Sequence, residues 1–175
     1  MMGLIGCGAS TQQDQTPAST GNQAQPVTTS KQEADPTEVT WNTKDLSIMT
    51  NGNIARAVKL VKAGNLQTVT AAEPAAVAKT PWNYYGKVVE FTGVAEVVDD
   101  YPPDSDISKL MGGGGASEVV FVTDDGTIAD FFLVGSSGDL RVGDTVTLRG
   151  YPVGREEVPN KLGGSFTHLI LVGKY

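Results

Sequence analysis

His168 is the only histidine in the chain, and so the only side chain whose ordinary pKa lies between pH 5 and 8. It sits in a run, residues 166–172, where apolar residues alternate. There it falls on the face opposite Leu169 and Leu171, which is expected to be the outer one. No nucleophile motif sets a Ser or Cys beside it, so it reads as a surface or hydrogen-bonded residue rather than a general base. The single Cys excludes an intrachain disulfide, and one Cys with one His cannot make a Cys/His zinc site. Asp99, Asp100, Asp104 and Asp106 crowd one segment with oxygens of the kind Ca²⁺ takes. The EF-hand spacing fails there: counted from Asp104, position six is Lys109 and position twelve is Gly115. The segment therefore reads as a solvated acidic loop, and no metal or cofactor is expected. Gly112 to Gly115 lacks the GK[ST] of a phosphate cradle and reads as a hinge.

Ligand stacking needs exposed rings beside cations. The candidate binding residues of that kind are Tyr101, Phe121, Phe131, Arg149, Tyr151, Arg155 and Lys161, with Phe166 as a further ring. Two of Phe121, Phe131 and Phe132 are expected to point into a core, and periodicity does not say which.

These residues belong to segments with a period of two. Strands are expected over residues 87–98, 117–123, 127–134, 144–151 and 166–172. Gly93 interrupts the first and predicts a bulge or sharp bend. Asp124-Asp125-Gly126 predicts a hairpin turn between the second and third. Ahead of them, Ile54, Ala57, Val58 and Val61 recur at helical spacing, with Arg56, Lys59 and Lys62 outward and Gly64 as a stop. A second short helix is expected near residues 70–79. Either Thr70 and Glu73 form a capping box, or Glu73 is the cap and Pro74 the first helical residue.

The N-terminus carries Leu4-Ile5-Gly6-Cys7, which resembles a bacterial lipobox. Only six residues precede Cys7, without a basic segment or a full apolar one. Residues 8–45 are rich in Ser, Thr, Gln, Pro, Ala and Asn, with Trp41 as the only aromatic. Such composition predicts a disordered tether. The resemblance implies a lipid on Cys7, a membrane as partner, and an extracytoplasmic place in the bacterial cell envelope. No run of 18 apolar residues predicts a membrane-spanning helix.

The segments Pro81-Trp82-Asn83-Tyr84-Tyr85-Gly86-Lys87-Val88-Val89, Gly93-Val94 and Val142 to Tyr151 resemble the OB-fold, in particular the tRNA-anticodon-binding-like OB domains of bacterial lipoproteins of unknown function. The resemblance covers residues 74–175. It implies a mainly β fold: a five-stranded, partly open Greek-key barrel preceded by one or two short helices and the disordered tether. It also implies a ligand on the face of strands two and three, and between the loops at residues 99–116 and 154–164. Only residues 135–141 join strands three and four, which leaves little room for the usual OB helix. The helices at 54–63 and 74–79 are expected to plug the end of the barrel instead. The organisation expected is 1–7 for the signal remnant and lipobox, 8–45 for the tether, 46–80 for the helical lead-in and 81–175 for the OB domain.

Charge bears on the partner. From residue 81 onward seven basic residues face fourteen acidic ones, and the whole chain is −7. Nucleic-acid affinity rests largely on neutralising phosphates, so a nucleic acid is a poor partner for this domain. No paired-carboxylate, nucleophile, metal or cofactor motif marks an enzyme. The expectation is a non-enzymatic, membrane-anchored binding module whose ligand is an envelope protein, a glycan or a small molecule. The alternatives are a structural subunit of an envelope complex and, by fold analogy, single-stranded nucleic-acid binding.

Overall fold

A computed structural model describes residues 40–175. The tether before residue 40 and Cys7 lie outside the described residues. The chain is mainly β. Strands β1 (Val89–Tyr101), β2 (Ala116–Thr123), β3 (Ile128–Val134), β4 (Thr145–Pro159) and β5 (Ser165–Lys174) form one sheet. Its order is β1-β2-β3-β5-β4, and β4 pairs back onto β1, so the five strands close in a ring rather than a partly open sheet. All pairs are antiparallel except β3 with β5.

Closure rests on β1 serving two partners. Val89 to Val94 pair with β4, and Gly93 to Tyr101 pair with β2. The exchange happens at Gly93, where a Cβ would lie 2.3 Å from the Phe121 ring and 2.5 Å from the Val122 carbonyl. Only glycine lets the two strands approach that closely. The register then shifts between Ala95 and Val97, so the bulge expected at Gly93 falls just after it.

Inward side chains fill the ring. Val89, Phe91, Ala95, Val119, Ala129, Leu133, Val146, Leu148, Leu169 and Leu171 surround Phe121 and Phe131, whose rings stack 5.4 Å apart. Helix α2 (Pro74–Lys79) adds Val77, fully buried in the same cluster. Glu73 is its N-cap and Pro74 its first residue, the second of the two starts considered above. The β2–β3 turn holds the helix start: Asp125 Oδ2 accepts from the Ala75 amide at 3.0 Å. Hydrogen bonds from Thr123 and Thr127 help hold the Asp125 carboxyl at about 2, below its ordinary range.

Helix α1 (Asn53–Lys62) forms where the apolar spacing predicts it, but it does not plug the ring. It lays Ile54, Ala57, Val58 and Val61 on the outer side of β3, β4 and β5, against Phe132, Tyr151, Val153, Ile170 and Val172. A stripe of four small or branched side chains matches a gently twisted sheet face better than the narrow end of a ring. The end plug is therefore α2, and α1 is a cover.

Three further differences follow from local chemistry. Strand β4 runs to Pro159, eight residues beyond the expected end at 151, because a bulge between Pro152 and Gly154 re-aims the chain without ending the ladder. The last part is held by the Val158–Phe166 pair and by Ser165 and Thr167 donating to Glu157. The acidic segment contains helix α3 (Asp106–Leu110), started by Ser105, whose side chain accepts from the Ser108 amide. Trp41, placed in the expected tether, stacks on Tyr85 and Tyr151 at 5.8 and 6.2 Å. Asn42 and Asn53 exchange hydrogen bonds beside it.

Candidate binding face

The residues expected to stack on a ligand do not come together. Phe121 and Phe131 are 0% exposed inside the ring, so neither offers a face to a ligand. This corrects the expectation: along β2 and β3 the opposite parity points outward. Tyr151 is buried beneath Trp41, and its hydroxyl donates to the Asn65 carbonyl. Arg149 pairs with Glu90 at 2.5 Å on the β1–β4 side of the ring. It lines a hollow of about 450 Å³ with Gln67, Lys174 and Tyr175. Arg155 lies within β4, not in a loop, and donates to the Ala78 carbonyl at 3.3 Å. Lys161 is exposed in the short β4–β5 turn.

The two loops expected to form a cleft lie at opposite ends of the sheet. Ala116, at the end of the first loop, pairs with Val134 at the far end of β3. Ser165, after the second loop, begins β5, whose first residues lie near the start of β3. The first loop is also tied down elsewhere. Met111 is buried in the cluster under α1, and Lys62 Nζ donates to the Gly112 carbonyl at 2.7 Å. The four carboxylates of its acidic stretch are dispersed. Asp100 accepts from Ser136 and Ser137, Asp106 pairs with Lys109, Asp104 sits at a φ of 74° in a turn, and Asp99 extends from β1.

What the fold does assemble is a surface. On the outer side of the sheet α1 covers Phe132 of β3, Ile170 and Val172 of β5, and Tyr151 and Val153 of β4, whereas the outer side of β1, β2 and the start of β3 and β5 lies beyond it. There Val94 pairs with Val122, Val122 with Ile128, and Val97 with Val120. His168 continues the row on β5, and Phe166 lies two residues before it on the same face, paired with Val158 of β4. Val94, Val97 and Phe166 are 43%, 37% and 53% exposed. None of these apolar residues belongs to either buried cluster. Val120 is buried among its neighbours, and exposed apolar side chains such as Val94, Val97 and Phe166 are the kind of patch that marks an interaction surface.

Polar groups border it. Tyr101 donates to Glu118 Oε2 at 2.5 Å. Burial, with Asp130 and Asp99 nearby, raises the Glu118 carboxyl above its ordinary range despite that hydrogen bond. Burial and Glu118 raise the Tyr101 hydroxyl as well. Asp130, next along the face, is 5% exposed. Its Oδ2 meets His168 Nδ1 at 3.2 Å, and its Oδ1 has no partner among the described residues. His168 faces outward, as its parity predicts, and pairs across strands with Glu156. Of the expected binding residues, Tyr101 and the further ring Phe166 touch this face. Val94, Val97, Glu118, Val122, Ile128 and Asp130 were not singled out. The signal for them was the opposite phase of the same alternation.

Among the described residues no group of three or more His, Cys, Asp or Glu is arranged to hold a metal ion, and no helix is long and apolar enough to cross a membrane. No family model matches the sequence, and no curated protein matches it, so function rests on the chemistry of the face.

Proposed function

We propose that this chain is a non-enzymatic OB-fold binding module of the bacterial cell envelope, held on a membrane through a lipid on Cys7. It presents the outer face of β1, β2, β3 and β5 to its ligand. The observation that carries the reading is the uneven cover of one sheet: α1 buries part of its outer side, and elsewhere Val94, Val97 and Phe166 remain exposed. Burying such a patch against a partner removes apolar area from water at about 25 cal/mol per Å². Support for the OB-fold comes from the strand order, the parallel β3–β5 pair and the double use of β1. Support for the anchor comes from the lipobox-like Leu4 to Cys7 and the polar stretch that follows. In this reading the Asp130–His168 pair shapes the rim of the face and turns over no substrate.

A photo-crosslinking residue at position 97, in cells expressing the lipidated chain, tests the face. Position 110, on α3, serves as an exposed control. An adduct specific to position 97 is expected in the membrane fraction, and Cys7→Ser should move the protein to the soluble fraction. Equal labelling at both positions would overturn the face, and an unchanged distribution of Cys7→Ser would overturn the anchor.

A further inference from the structure

The charge on the open face has one sign. β1, β2 and β3 contain no lysine or arginine, and they carry Glu90, Glu96, Asp99, Asp100, Glu118 and Asp130. On the face itself Asp99, Glu118 and Asp130 border the valines, and Glu156 lies beyond His168. The face is also short of donors. Glu118 and Asp130 bring four carboxylate oxygens, and the two hydrogen bonds among them come from Tyr101 and His168. Asp130 Oδ1, on a residue more than nine-tenths buried, has none. A buried acceptor without a donor is costly, and two carboxylates partly out of water repel one another.

A group that brings positive charge and N–H donors to the half-buried Glu118 carboxylate offsets the repulsion between it and Asp130, and a guanidinium or an ammonium does so. The apolar side chains ask for a different complement. From β1 to β5 the face spans three inter-strand steps, about 14 Å, which is the reach of four or five extended residues. We propose that this face seats a short segment of a partner protein in which a few apolar side chains are flanked by basic ones. The apolar side chains lie over Val97, Val122 and Phe166, and a basic side chain reaches Glu118, beside the buried Asp130. This deepens the proposed function and rests on its choice of face.

Three labelled peptides test it against the full-length chain by NMR titration to millimolar concentration, with Arg-Leu-Val-Leu-Arg, Glu-Leu-Val-Leu-Glu or Arg-Ser-Gly-Ser-Arg as their core. The first should bind saturably and at least about tenfold more tightly than the other two, with shifts at Val97, Glu118 and His168. Glu118→Gln should weaken it about three- to tenfold. Phe166→Ser, at an exposed position near the open end of the β4–β5 hairpin, should weaken it similarly, with the unshifted signals of the ring core checking that the fold is kept. Equal binding of the acidic peptide, weakened by Phe166→Ser, would overturn the choice of occupant and leave the face standing. Binding that neither variant changes would overturn the occupant and the face together. No binding by any peptide would overturn the occupant, while the crosslink at position 97 would still report on the face.

Discussion

Glu118 is held at an electrostatic cost. It is half-buried, faces Asp99 and Asp130, and has a raised carboxyl pKa. A carboxyl whose folded pKa exceeds its unfolded one binds more protons in the folded state. Its penalty is therefore absent below the unfolded value, grows as pH rises from about 4.5, and is complete above the folded value. Glu118→Gln keeps an acceptor for Tyr101 and removes the charge. It should raise the melting temperature at pH 7 by about 1–3 °C and flatten its decline between pH 4.5 and 7. Thermal melts across that range check this; a fall at pH 7 would mean that the Tyr101 bond outweighs the repulsion. The variant that weakens peptide binding is thus expected to be the more stable one, a combination that a purely structural glutamate does not give. At this scale the sequence was ambiguous in a specific way. Phe131 and Phe132 are adjacent, so one had to point inward and one outward. Alternation alone does not choose the phase. The choice came from the partners: Phe131 stacks on Phe121 inside the ring, and Phe132 lies under α1.

The elements were more legible than the residues. Five strands, the Asp-Asp-Gly turn and both helices ahead of the sheet fall where period and turn chemistry put them. What local pattern could not carry was the destination of each helix. α1 and α2 both looked like plugs, and only one is. Val77 is the one fully buried α2 side chain in the ring core, with Ala78 packed against it, and nothing local distinguishes it from Val58 on α1. Val77→Ala should cost about 1–2 kcal/mol, the loss of two buried methyl groups plus part of the cavity they leave. Urea unfolding with an unchanged slope measures it; a change below about 0.3 kcal/mol would show that the ring end closes without α2. The extent of β4 was also hidden. A bulge is a three-dimensional solution to curvature, and Tyr151 to Gly154 reads locally as a strand end.

The closed ring and its charge act at the scale of the whole molecule. The sign of the charge was legible from residue counts, and its concentration on β1, β2 and β3 needed the strand order. An anionic polymer should find little purchase here. A fluorescent single-stranded oligonucleotide titrated with the full chain should show no saturable anisotropy change at 50 mM salt and above. Saturable binding that weakens steeply with salt would place the cations of the β1–β4 side, Arg149 and Lys174, ahead of the acidic face as the working surface.

The place of β5 in the ring bears on how the protein can be made. β5 is the last strand in chain order, yet it sits between β3 and β4. Until it emerges from the ribosome, those two strands have no neighbour on that side, and Leu169 and Leu171 are missing from the core. Strand-by-strand folding from the N-terminus would therefore stall with two open edges, the condition under which chains pair with one another. Such a chain should remain unfolded until β5 is available, and then fold in one concerted step.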